Sequence, residues 1–117
     1  MKEFGQYIRE RRLVLDQRDR GYSVRKTAAM INVQFSYLSK VERGEVAPPS
    51  EATIKRLAEV LGEDPDVLLA LAGKVSEDLR RVILKRPQLF AALLRELKNT
   101  PDSSVLRLVR EVRDGEW

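Results

Sequence analysis

Ser23-Val24-Arg25-Lys26-Thr27-Ala28-Ala29-Met30-Ile31-Asn32-Val33-Gln34-Phe35-Ser36-Tyr37-Leu38-Ser39-Lys40-Val41-Glu42-Arg43-Gly44 is the stretch on which the fold turns. Ser23 can cap a helix, and Val24, Thr27, Ala28 and Ile31 recur at i, i+3, i+4 and i+7, which predicts a helix over 24–31. Asn32 follows, one of the few non-glycine residues that tolerates a left-handed turn. A second helix is expected from Phe35 to Glu42, with Leu38 and Val41 inward and a stop at Gly44. Ala28 and Ala29 are small where the two helices must approach, and Val33 is placed to plug into the core.

Two short helices joined by a tight turn form a helix-turn-helix unit. On the outer side of the second lie Phe35, Ser36, Ser39 and Lys40, and a DNA major groove admits an α-helix presenting such a side. Outward along the chain the pattern stays helical, with no convincing alternating strand. Upstream, Phe4, Ile8 and Leu15 fall near one face of a helix from Glu3 to about Arg20, which Gly21 breaks. Downstream, Ala47-Pro48-Pro49 is a rigid connector, Ser50 caps a fourth helix ending at Gly62, and Asp64-Pro65 opens a short fifth over 65–72, closed by Gly73.

Past Gly73 three further helices are expected, starting near Ser76, Pro87 and Thr100-Pro101. Each carries one apolar stripe: Leu79, Val82 and Ile83; then Phe90, Leu93, Leu94 and Leu97; then Val105, Leu108, Val109 and Val112. Single helices of this kind cannot bury their stripes. The fold class is therefore all-α, with a first domain over 1–73 and a helical dimerisation or partner segment over 74–117.

Composition narrows the chemistry. The 117 residues hold 22 Lys plus Arg against 18 Asp plus Glu, a net charge of +4. Residues 1–43 hold ten basic and five acidic side chains, a balance of +5; residues 44–73 hold two and six, or −4; the remainder hold ten and seven, or +3. A basic block followed by an acidic one suits a polyanion facing the first part, although a solvated helix surface accounts for most imbalances of this size, so charge alone is weak support for nucleic-acid binding. There is no His and no Cys. Zinc sites, disulfides and imidazole- or thiol-based catalysis are thereby excluded, and neither a Gly-rich phosphate loop nor a metal-ligand cluster is present, so no cofactor and no enzyme activity are expected. Asp64 and Asp66 flank Pro65 and read as helix caps rather than paired catalytic carboxylates. Met1-Lys2-Glu3 opens a charged amphipathic stretch with no apolar signal core, and runs such as Val67–Ala72 fall far short of the roughly 20 residues that span a bilayer. The expectation is a cytoplasmic protein with no membrane association.

The stretch from Thr27 to Gly44, and above all Tyr37-Leu38-Ser39-Lys40-Val41-Glu42-Arg43-Gly44, resembles the core of the lambda-repressor/Cro-like (XRE) helix-turn-helix family. Pro49-Ser50 before the fourth helix and Leu57, Ala58 and Leu61 within it fit as well, and the resemblance covers roughly 4–72, the family's five-helix domain. It implies a sequence-specific DNA-binding transcriptional regulator, most simply a homodimeric repressor reading a palindromic operator in double-stranded DNA. Position by position it implies base contacts for Gln34, Phe35, Ser36, Ser39 and Lys40. Phosphate contacts fall to Ser23, Arg25, Lys26, Tyr37 and Arg43, and a buried ion pair to Arg12 and Glu42. Two departures stand out: Val24 takes the place of the family's frequent phosphate-binding Gln, and the chain between Arg12 and Gly21 is several residues longer than usual. That extra length either extends the first helix or makes a basic loop beside DNA.

Several alternatives stay open at this level. With the register shifted by one, Phe35 would be a core residue; facing outward, it would meet a thymine methyl group. Arg80-Arg81 and Lys85-Arg86 fit a solvated face or a DNA contact. Trp117 is either a docking anchor or a frayed end. The competing function is a protein-binding one, in which the C-terminal helices engage a partner such as a toxin, as in antitoxins, or are cut by a regulatory protease, as in repressors of phage-like or defence islands.

Overall fold

Ser23, Ser50 and Asp64 each stand one residue before a helix, and each closes its first turn with a side-chain oxygen. The Ser23 hydroxyl accepts from the Lys26 amide, Ser50 from Thr53, and the Asp64 carboxylate from Asp66. Such caps satisfy amides that the helix itself cannot, each typically contributing about 1 kcal/mol. The computed structural model describes residues 2–115, so Trp117 lies outside the described residues.

Among the described residues the chain is all-helical, with eight helices: α1 Lys2–Asp19, α2 Val24–Met30, α3 Phe35–Glu42, α4 Glu51–Leu61, α5 Pro65–Leu71, α6 Glu77–Lys85, α7 Pro87–Leu97 and α8 Asp102–Asp114. The extra residues after Arg12 lengthen α1 rather than form a loop. Its end differs from the expected glycine break, because Arg20 rather than Gly21 takes the left-handed conformation, at φ 55°. The turn is held by side chains instead. Asp16 accepts from the Tyr22 amide at 3.0 Å, and Arg12 Nη1 donates to the Tyr22 carbonyl at 3.1 Å. Asn32 makes the turn between α2 and α3 at φ 61°, and Gly62 ends α4 at φ 67°.

The chain divides into two compact units, the first running to Ser76 and the second starting at Glu77. In the first, α1 packs against α3, α4 and α5, α2 against α3, and α4 against α5. Phe4 and Ile8 of α1, Ala28 and Ile31 at α2, Leu38 and Val41 of α3, Ile54, Leu57, Ala58 and Leu61 of α4, and Leu68 and Leu69 of α5 form one buried cluster. Val33 packs against it half-buried. Ala29, expected inside, is exposed; Ala28 alone supplies the small residue at the α2–α3 approach. Helix α1 approaches α3 tightly at Gly5, where a Cβ would sit 2.7 Å from the Glu42 carbonyl oxygen and nearer still to that of Val41.

The second unit is of different character. Helices α6, α7 and α8 contain no buried residue, and α6 packs on α7. No helix among the described residues is long and apolar enough to cross a membrane.

Candidate nucleic-acid interface

Helix α3 is a short element with two unlike sides. Inward, Leu38 and Val41 keep about 1% of their surface exposed and Glu42 is buried beside them. Outward, Gln34, Phe35, Ser36 and Lys40 are exposed, while Ser39 and Tyr37 are half-buried. Gln34 is the N-cap residue with extended backbone, and its side chain makes no capping hydrogen bond, which leaves the amide group available. Phe35 is therefore an outward residue, and the register that would bury it is ruled out.

What fixes α3 is an ion pair. Arg12 Nε donates to one Glu42 oxygen at 2.7 Å and Nη2 to the other at 2.8 Å, with both side chains less than a tenth exposed. This two-pronged geometry is the strong form of an Arg–carboxylate contact. The third donor of Arg12 reaches the Tyr22 carbonyl, so one guanidinium ties α1, the turn before α2 and the end of α3 together. The hydrogen bond to Glu42 raises the Arg12 pKa above its ordinary value, ahead of the opposing effect of burial.

The flanks carry the remaining cations. Arg43 pairs with Glu45 through two hydrogen bonds of 3.1 and 3.0 Å and also donates to the Ser39 hydroxyl. Its charge and the Ser39 oxygen are thus already engaged with each other. The same contact holds the Glu45 carboxyl below the usual range. On α2, the Lys26 ammonium donates to the Arg20 carbonyl at 3.1 Å, and the Arg25 guanidinium lies over the Phe35 ring, 3.8 Å from its centroid. Ser23, half-buried, accepts from the Lys26 amide and keeps its own proton to donate.

Pattern reading misses two residues on α1. Arg9 and Gln6 are exposed beside the end of α3, where they line a shallow cleft with Glu42 and Arg43. Arg9 stands one turn before Arg12 on the same helix, and that three-residue spacing was the available signal. The apolar residues expected at a dimer contact all lie on α6–α8: Leu79, Val82, Leu93, Leu94, Val109 and Val112 are exposed, and Ile83, Phe90, Leu97, Val105 and Leu108 are half-buried. Leu84 and Leu89, outside the stripes, are the more open at 68% each. No group of acidic residues among those described is arranged to hold a metal ion.

A family model described as helix-turn-helix matches residues 8–68. A curated relative from Bacillus subtilis (strain 168), described as the uncharacterized HTH-type transcriptional regulator RghRB, is 37% identical over 75 residues, which is 64% of this chain and 50% of that protein. The match thus spans about half the length of the relative. No solved structure matches the chain.

Proposed function

We propose a function from the premise that the family match supplies: this chain belongs to the helix-turn-helix family of XRE/Cro-like DNA-binding domains. On that premise it is a sequence-specific transcriptional regulator, acting as a homodimeric repressor on a palindromic operator. The observation that carries the reading is the two-sidedness of α3, whose outer side offers Gln34, Phe35, Ser36 and Lys40 while Arg12 and Glu42 pin its inner side. Polar groups on a rigid helix can read base edges because their direction is set before DNA arrives.

Lys40 and Gln34 are the principal base readers, with Ser36 beside them and Ser39 joining when Arg43 releases it. Phosphates are met by Ser23, Lys26, Tyr37 and Arg43, with Arg9 added from α1. Glu45 must give up Arg43 for that contact to form, so DNA phosphate replaces a carboxylate. The C-terminal helices supply the contact between two copies, as the open apolar side chains of Leu84, Leu89 and Leu94 favour. The same surface would equally suit a different protein partner. A cytoplasmic location belongs to the same proposal, since a regulator of this kind works on DNA.

Selection of bound duplexes from random DNA with the full chain tests this. A palindromic site with half-sites about one helical turn apart, and a mass corresponding to two chains, is the expected result. No enriched sequence would overturn the DNA-reading proposal. An asymmetric site bound by a single chain would overturn the dimer.

A further inference from the structure

We infer that Arg25 and Phe35 form one base-reading unit, which recognises a guanine adjoining a thymine in the major groove. The inference rests on the DNA-binding reading above and names part of the sequence that is read. Phe35 is the first residue of α3 and keeps 44% of its surface open, so packing on the core does not account for a ring at this position. Arg25, the second residue of α2, lays its guanidinium over that ring at 3.8 Å. The two side chains therefore meet across the turn.

A guanidinium held over an aromatic face is attracted by the ring's quadrupole and keeps its N–H groups at its edge, free to donate. The stack restrains a long side chain before DNA arrives, which lowers the ordering cost of a directional contact. A phosphate can also take the arginine fork, but it sets no apolar group beside the ring, so it makes little use of the paired unit. A guanine does use it, since O6 and N7 form a fixed pair of acceptors that matches the arginine fork. The neighbouring apolar surface is the phenylalanine ring, and the apolar group a base pair offers in the major groove is the thymine 5-methyl. A thymine followed by guanine is also a pyrimidine–purine step, the easily deformed kind, so a ring can be accommodated there. Lys26, the next cation on α2, has no such platform and turns to the Arg20 carbonyl instead.

The test uses the full chain and the duplex that selection yields, with atomic changes in the DNA. Replacing the guanine by 7-deazaguanine removes one acceptor, and replacing the thymine by uracil removes only the methyl group. Each change is expected to weaken the unaltered protein, the first by about ten-fold. Arg25→Ala should make binding indifferent to the 7-deaza change, and Phe35→Ala should make it indifferent to the loss of the methyl. Arg25→Lys should not restore the guanine preference, because an ammonium lacks the fork. Both residues are exposed, and far-UV circular dichroism checks that the variants stay folded. If Arg25→Ala instead weakens every duplex alike and flattens the salt dependence by about one unit of slope, Arg25 is a phosphate contact and the inference falls while the function stands. A selected site with no guanine beside a thymine also overturns it. Failure to select any site would sink both together.

Discussion

Replacing Arg12 by methionine is expected to cost the N-terminal unit about 3–5 kcal/mol, the range for breaking a buried ion pair by removing one partner. Methionine follows the aliphatic stem of arginine closely, so the loss is electrostatic rather than a cavity. Glu42, with its side chain only 5% exposed, would keep a carboxylate under the core without the two donors at 2.7 and 2.8 Å, and the Tyr22 carbonyl would lose a third. In a unit of this size each kcal/mol lost lowers the thermal midpoint by about 4–8 °C, so a fall of at least about 12 °C should follow. The double change Arg12→Met with Glu42→Leu should recover most of that loss, because apolar replacement of a whole buried pair is near neutral or better. It should still bind operator more weakly, since packing alone then holds α3 to α1, without the polar tie that sets its direction. Urea unfolding followed by far-UV circular dichroism measures all three proteins. A single substitution costing under about 1 kcal/mol, the worth of an exposed pair, would refute the burial on which the reasoning depends. A double variant as unstable as the single one would refute the unpaired charge as the cause.

Gly5→Ala should destabilise the fold by about 1–3 kcal/mol and weaken DNA binding, because the added carbon meets the Val41 and Glu42 carbonyls and pushes α1 off α3; unchanged stability, with alanine's helix propensity prevailing, would show that the approach is looser than described. Thr27→Val should stabilise by roughly 1 kcal/mol, since the Thr27 hydroxyl is buried with no hydrogen-bond partner among the described residues; a loss in urea unfolding would point to a bound water. Glu45→Gln should tighten DNA binding and steepen its salt dependence by freeing Arg43, as read by fluorescence anisotropy across salt concentrations. Acid should act in the same direction. The Glu45 pKa is lowered in the fold, so its pairing with Arg43 is fully present above the ordinary carboxylate pKa and is lost as pH falls through the depressed value.

The helix starts are legible in the sequence because capping is local chemistry: Ser23, Ser50 and Asp64 sit within three residues of the amides they satisfy. The end of α1 is not, because the turn at Arg20 depends on Asp16 and Arg12 reaching Tyr22 once the chain has folded back. Alanine is nearly mute in a hydrophobic pattern, which is why Ala28 and Ala29 look alike and yet one is buried and the other exposed. Gly5 gives no warning either, since a glycine inside a helix has no meaning until the neighbour it admits is known. Nothing in periodicity pairs Arg12 with Glu42, thirty residues apart; only the resemblance does. Arg25 and Phe35 meet across a turn, and neither spacing nor composition brings them together. Leu84 and Leu89 escape the stripes because they lie off the helical faces that the stripes define.

The lack of any buried residue in α6–α8 carries a consequence for the lifetime of the protein. If a second copy or another protein covers it, as proposed above, a unit with so thin an interior draws its persistence by mass action from that cover. When the covering copy or partner is scarce, its helices open often, and a protease finds the open form in proportion to its population. Scarcity would then shorten the survival of the C-terminal half while the capped, ion-paired N-terminal unit endures, making abundance itself a control on how long the intact chain lasts.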